Sequence, residues 1–287
     1  MENILITPHQ LQQTVESLPT VIIDTRSPDA YATGHIPGAV NIHDIFTFLA
    51  TSTKDGLEEL SSKFADTFGA AGLSGDEIAI IYEDSMDTGF GQSCRGYFLL
   101  EFLGYPKAVI LHGGYQGWIA ENMPTTDIIP SPEAKTFPIN LSSASIMLTK
   151  DDMLASLDDP NIVKLDVRDV DEWVATSSSP YGIDFCPRKG RIPGAVWLEW
   201  YRMMKPGEEV PVFKSKEELQ AESATVGIGA DSTVYVYCFK GARASNTYVA
   251  LKEAGVKDVR IYFGSWNEWS RDPELPIEEG HQAWNAA

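Results

Sequence analysis

At 287 residues with 43% hydrophobic content, the chain is long enough to bury two separate cores and has the composition of a globular protein. Its formal net charge of -19 argues against nucleic acid as a partner, because phosphate binding needs a basic face, and leaves any anionic substrate to local clusters of Lys and Arg. No apolar run reaches the length of a membrane span, and the opening Met-Glu-Asn-Ile-Leu-Ile-Thr-Pro lacks the basic start and long apolar core of a secretion signal, so no membrane and a cytoplasmic location are expected.

Short β-branched runs, Val21 to Ile23, Ile78 to Tyr82 and Ala108 to Leu111, alternate with longer amphipathic stretches. That alternation predicts an α/β fold with a parallel sheet and helices on its faces. Pro124 to about Ser143 carries Pro130, Pro132 and Pro138 among polar residues without a period, and reads as a linker. The pattern then starts again. Asp24-Thr25-Arg26 returns as Asp166-Val167-Arg168, Ile36-Pro37-Gly38-Ala39-Val40 as Ile192-Pro193-Gly194-Ala195-Val196, and Ile78 to Tyr82 as Thr233 to Tyr237. Gly113 to Trp118 likewise returns as Gly264 to Trp269. A spacing of roughly 150 residues is that of a duplicated domain rather than a solenoid. The expected organisation is a first domain over 1–125, a linker over 126–144 and a second domain over 145–287.

The copies differ where chemistry is expected. After its strand the second copy reads Cys238-Phe239-Lys240-Gly241-Ala242-Arg243-Ala244 and passes into a helix, with Ala244, Thr247, Tyr248 and Leu251 on one face and Gly255 as the stop. A cysteine at a strand end that meets a helix start faces backbone amides and the positive end of the helix dipole, which favour thiolate. Lys240 and Arg243 add charge, and Gly241 permits the tight bend of an anion-binding nest. The alternative is a small buried hydrophobe. The first copy has Glu83 at the matching place, followed by Asp84 and Asp87, which can neither act as a sulfur nucleophile nor attract an anion. That copy is expected to be silent. Cys94 lies in an apolar helical stretch and reads as core. Cys186 reads as a loop thiol, with a redox or resolving role as the alternative. Three cysteines without C-x-x-C spacing make neither a disulfide framework nor a metal site with the five histidines. The second copy also carries a longer stretch, Ser177 to Lys189, before its Ile-Pro-Gly, ending in the basic run Arg188-Lys189-Gly190-Arg191. It is either a solvated loop or a substrate-side element.

Asp-x-Arg followed by Gly34 to Ala39, the parallel Gly190 to Ala195 and the loop from Cys238 to Arg243 resemble the rhodanese superfamily, specifically its tandem-domain sulfurtransferases, over nearly the whole chain. The resemblance implies two tandem rhodanese-like domains, the first inactive, and a Cys238 that takes sulfane sulfur from a small anionic donor as a persulfide. The amides of Phe239, Lys240, Gly241, Ala242, Arg243 and Ala244 would steady that anion with no metal or organic cofactor. The acceptor would be cyanide, a thiol or a thioredoxin-like protein. Lys240, two after the cysteine, implies thiosulfate as donor, with Lys240 and Arg243 on its sulfonate; 3-mercaptopyruvate is the alternative. Two positions depart from the animal members of the family: Arg243 replaces a threonine, and Glu172 replaces a substrate-binding arginine whose task is either absent or taken over by Arg188 or Arg191. Asp166 with Arg168 is expected as a structural ion pair near the strand end, with a brace for the active loop as the alternative. Two rival readings exist. Phosphatases and arsenate reductases of the Cys-x5-Arg type need a longer loop than the four residues between Cys238 and Arg243, and a noncatalytic sulfur-carrier or interaction module leaves the nucleophile loop unexplained.

Overall fold

A computed structural model describes residues 3–280. The chain forms two compact units, the first from residues 1–48, 58–145 and 204–214, the second from 49–57, 146–203 and 215–287.

The first unit carries the five parallel strands β1 (Leu5–Ile6), β2 (Thr20–Asp24), β3 (Val40–Asn41), β4 (Ile78–Tyr82) and β5 (Ala108–Leu111), in the order β1-β5-β4-β2-β3. Its helices are α1 (Pro8–Ser17), α2 (Pro28–Thr33), α3 (Asp44–Thr47), α4 (Lys54–Ala70), α5 (Gln92–Phe102) and α6 (Gly114–Ala120). Every residue of the central β4 is buried, as expected of a parallel strand covered on both faces. The segment after α6 lies along this unit: Phe137 stacks on Tyr105 with centroids 5.3 Å apart, and Asn140 donates its amide to Leu103 O at 2.9 Å.

The second unit repeats the plan with β6 (Met147–Leu148), β7 (Ile162–Asp166), β8 (Val196–Trp197), β11 (Thr233–Tyr237) and β12 (Asp258–Tyr262), in the order β6-β12-β11-β7-β8 and all parallel. A short antiparallel pair, β9 (Met204–Lys205) with β10 (Val212–Phe213), belongs to the first unit. The helices are α7 (Lys150–Ala155), α8 (Val170–Trp173), α9 (Lys216–Ala224), α10 (Ala242–Ala254) and α11 (Ser265–Trp269). Position for position the strand orders match, so the duplication read from the motifs is one of topology. The sheets and helices of the two units constitute two α/β domains of the same plan.

The helix expected after Cys238 is α10, and it closes on Gly255 in the left-handed conformation at φ 93°. It differs from an amphipathic helix in having no wet face over its first three turns: Ala242 through Leu251 are all buried. No helix among the described residues is long and apolar enough to cross a membrane.

Candidate active site

Cys238 follows β11 directly and is 1% exposed. The chain then turns through Gly241, whose φ of 91° lies in the left-handed region, into α10. A Cβ there would come within 2.9 Å of the Phe263 ring, so the position demands glycine twice over. The turn brings the Gly241 amide to 3.1 Å from Cys238 Sγ. Ala242, Arg243 and Ala244 form the first turn of α10, where backbone N–H groups have no intrahelical acceptor and carry the positive end of the dipole. The loop carbonyls are turned the other way. Cys238 O accepts from the Trp266 amide and Phe239 O from the Asn267 amide, each at 3.0 Å, while the Cys238 amide donates to Ser265 Oγ at 3.2 Å. One end of the loop therefore presents amides to the sulfur while α11 holds its carbonyls.

The first unit keeps this frame without the thiol. Its α5 also starts from a left-handed glycine, Gly91 at φ 77°, and Glu83 O and Asp84 O accept from the Tyr115 and Gln116 amides of α6. In place of a sulfur stands the Glu83 carboxylate, fully buried, with Oε2 accepting from the Gln92 amide at 2.7 Å and Oε1 from Ser93 Oγ at 3.0 Å. Burial pushes its pKa up to about 8 against the pull of these donors. The first cradle is filled by the chain's own acid.

Asp166 and Arg168 form the expected ion pair, with Nη2 and Oδ2 2.6 Å apart, both fully buried. Arg168 also donates to Gly190 O at 2.8 Å, Tyr237 donates its hydroxyl to Asp166 at 2.7 Å, and the guanidinium lies 4.6 Å from the Trp266 ring. Asp24, Arg26, Tyr82, Gly34 and Tyr115 repeat the arrangement in the first unit. A pair present in both units braces the sheet edge beneath the loop, and only in the second does that edge carry a thiol.

The cations are placed differently from expectation. Arg243 is only 5% exposed, and its guanidinium is taken by acids: Nη1 lies 2.6 Å from Glu172 Oε2 and 3.0 Å from Asp169 Oδ1, and Nη2 3.2 Å from Glu172 Oε1. Burial alone would lower the Arg243 pKa, and Glu172 more than offsets it, so the cation persists. Burial pushes Glu172 up, opposed by Arg243. The two departures from the animal pattern, Arg243 and Glu172, are thus one feature, each side chain the other's partner. Arg188 and Arg191 are committed elsewhere. Arg188 donates to the carbonyls of Trp269, Ser270, Asp272 and Leu275, and Arg191 to Glu278 and the carbonyls of Trp173 and Gly280. Both hold the chain after α11, Arg188 half-buried and Arg191 buried, and their donors are taken by those acceptors rather than offered to a substrate.

Lys240 remains on the loop, 8% exposed, with Nζ 5.3 Å from the Tyr181 ring centroid. Cys186 lies in a loop as expected, but its thiol is fully buried as part of the second core, and burial pushes it up. Cys94 is buried core, its thiol pushed well up by burial. Asp169, Asp171 and Glu172 place oxygens within 4.8 Å of one another, the group among the described residues dense enough to chelate a cation, and Arg243 already fills that place. Sequence reading missed Ser265 and Asn267, which anchor the loop, and Tyr181 and Phe185, whose aromatic character inside the extra stretch was the available signal.

Residues 7–121 and 149–272 each match the profile of the rhodanese-like domain. A thiosulfate sulfurtransferase of Azotobacter vinelandii is 27% identical over 277 residues, spanning 96% of this chain and 97% of that one. A protein of Thermus thermophilus named sulfur carrier protein TtuD is 30% identical over 263 residues, 88% of each chain. The putative thiosulfate sulfurtransferase SseA of Mycobacterium tuberculosis is 31% identical over 88% of this chain and 82% of that one. Among solved structures, the anaerobic ergothioneine biosynthesis enzyme of Chlorobium limicola shares the fold at a TM-score of 0.83 and 22% identity, over 97% of this chain and 71% of the other.

Proposed function

Starting from a chain that belongs to the rhodanese family of sulfurtransferases in both halves, we propose that it moves sulfane sulfur from thiosulfate to a thiophilic acceptor through a persulfide on Cys238. One observation carries the reading: a thiol at a helix start with the Gly241 amide 3.1 Å from its sulfur, in a cradle that the sister domain fills with a carboxylate. A site whose counterpart in the other copy sets a carboxyl against backbone and hydroxyl donors is suited to an anion formed on the cysteine.

The steps follow from the geometry. Cys238, as thiolate, attacks the outer sulfur of thiosulfate; the S–S bond of the donor breaks and sulfite departs with its electron pair. The Cys238 persulfide anion then lies toward the Gly241 amide and the first turn of α10. Cyanide or a thiolate attacks the outer sulfur and restores the Cys238 thiolate. No proton has to be relayed. With Arg243 neutralised by Glu172 and Asp169, attraction for the donor's sulfonate falls to Lys240 and to the loop amides. Lys240 therefore favours the doubly charged thiosulfate over 3-mercaptopyruvate. The first domain is silent in this reading, and transfer to an acceptor takes place in the reducing environment that the unpaired cysteines fit.

The test is the intermediate itself. Protein treated with thiosulfate and freed of small molecules is expected to carry one extra sulfur on the Cys238 peptide by intact mass and peptide mapping, removable by cyanide. Turnover without any cyanide-labile sulfur on that peptide after rapid trapping would overturn the covalent route. Rates with thiosulfate and 3-mercaptopyruvate against one acceptor decide the donor.

A further inference from the structure

The helix that holds the Cys238 loop does not set its own position. With five residues, α11 is too short to be stable alone. It opens on Ser265 at φ 54°, a left-handed conformation that a residue with a side chain keeps only where its surroundings impose it. Three bonds of the loop nevertheless depend on this helix. The Trp266 and Asn267 amides hold Cys238 O and Phe239 O, and Ser265 Oγ accepts from the Cys238 amide while donating to Tyr262 O at 2.8 Å.

Glu268, in the same helix, is the fixing point. Its Oε1 accepts from the Ser52 amide at 2.7 Å, and its Oε2 from Ser52 Oγ at 2.7 Å and from the Tyr262 hydroxyl at 2.8 Å. Ser52 Oγ in turn accepts from the Lys150 amide, the first residue of α7, at 2.7 Å. Ser52 is 6% exposed, so little water competes for these bonds. It stands in the first repeat, yet residues 49–57 belong to the second unit. The first unit has the reciprocal strap, residues 204–214. There a Cβ on Gly113 would meet Val210 Cγ2 at 3.2 Å and one on Gly117 at 3.6 Å. Gly117 holds the place of Glu268 in the repeat. Both straps thus reach the helix that holds the loop carbonyls of their unit, one with an apolar side chain on glycine, the other with a hydroxyl on a carboxylate.

We propose that Ser52 is a positioning residue for the Cys238 loop: gripping Glu268 through both its amide and its hydroxyl, it fixes α11, and α11 turns the loop carbonyls away so that the amides face the sulfur. The reaction it serves rests on the sulfur-transfer reading above. The second repeat alone then lacks one of the residues that shape its own site.

The full chain is tested as Ser52→Ala, Ser52→Thr, Glu268→Gln and, as a control on the same strap, the exposed Thr51→Ala. Hydrogen exchange on peptides spanning Phe263–Trp269 is expected to show about tenfold less protection in Ser52→Ala and Glu268→Gln, with protection of the β11 peptide unchanged. Alkylation of Cys238 by neutral iodoacetamide should slow about threefold or more as the amides that favour its thiolate lose their aim, while the buried Cys94 and Cys186 stay as unreactive as in wild type. With thiosulfate, kcat should fall about fivefold and KM stay within about twofold, with the Ser52→Ala/Glu268→Gln double variant no worse than the weaker single one. Ser52→Thr keeps the hydroxyl and should recover all of these readouts to within about twofold, and Thr51→Ala should match wild type. Unchanged exchange and alkylation in Ser52→Ala would overturn the proposal, as would a Ser52→Thr equally impaired. Loss of β11 protection together with faster labelling of all three cysteines would also overturn it, since that is general loosening. If the wild type transfers sulfur from neither donor, the function reading fails, and exchange and alkylation still decide the role of Ser52.

Discussion

Glu83→Gln isolates the acid that fills the first cradle. Burial holds the Glu83 carboxyl at about 8 against an ordinary 4.5, so the folded domain prefers it neutral. Its contribution to stability is fully present below about pH 4.5 and is lost as pH rises through about 8, the sign expected when the folded value lies above the unfolded one. One pKa unit corresponds to about 1.4 kcal/mol, so between about pH 5.5 and about pH 8.5 the ionisation of this one group removes about 3 kcal/mol from the first domain. Glutamine keeps the shape. Its oxygen can accept from the Gln92 amide as Glu83 Oε2 does, and its amide can donate to Ser93 Oγ once that hydroxyl turns from donor to acceptor. The variant cannot ionise, so its stability should lack that part of the pH dependence.

Hydrogen exchange on peptides spanning Gln92–Phe102 reads the relevant domain directly. Once corrected for the base-catalysed intrinsic rate, wild-type protection should fall by about two hundredfold more than that of Glu83→Gln over the same pH interval. Parallel profiles would mean that the carboxylate is held ionised throughout by the Gln92 and Ser93 donors, and would refute the argument from burial.

Gly241→Ala should cut sulfur transfer by about tenfold or more, because the Cβ would press on Phe263 and displace the amide from Cys238 Sγ; steady-state kinetics with thiosulfate checks it, and near-normal turnover would deny the amide its role. Arg243→Leu should destabilise the second domain by about 3–5 kcal/mol through the stranded Glu172, with much of the loss recovered in the Arg243→Leu/Glu172→Leu double variant; urea denaturation of the single and double variants measures the coupling, and additive losses would deny the pair.

The sheet was legible because parallel strands buried on both faces must be apolar throughout. Ile78 to Tyr82 and Thr233 to Tyr237 show it without any partner being known. The nucleophile loop was legible for a similar reason: a strand end, a glycine and a helix start are local. What could not be read was the destination of long charged side chains. Arg188 finds its acceptors more than eighty residues along the chain, at carbonyls that no sequence pattern marks. Cys186 reads as a loop residue, and its burial was not legible because the core that it joins is built from residues distant in the chain, Tyr237, Tyr262 and Trp266 among them.

The two cradles explain each other better than either does alone. Both start a helix from a left-handed glycine and both hand their loop carbonyls to the next helix, so the first domain has not lost the geometry for an anion. What differs is the group at the centre of the frame. In the first domain it is the Glu83 carboxyl, which burial pushes toward its neutral form; in the second it is a thiol with the Gly241 amide 3.1 Å from its sulfur. Acids beside the second loop, Asp169 and Glu172, are paired with the Arg243 guanidinium, which offsets their charge next to Cys238. On the proposed function, the first domain is silent by occupancy rather than decay, since its frame is intact around the Glu83 carboxyl.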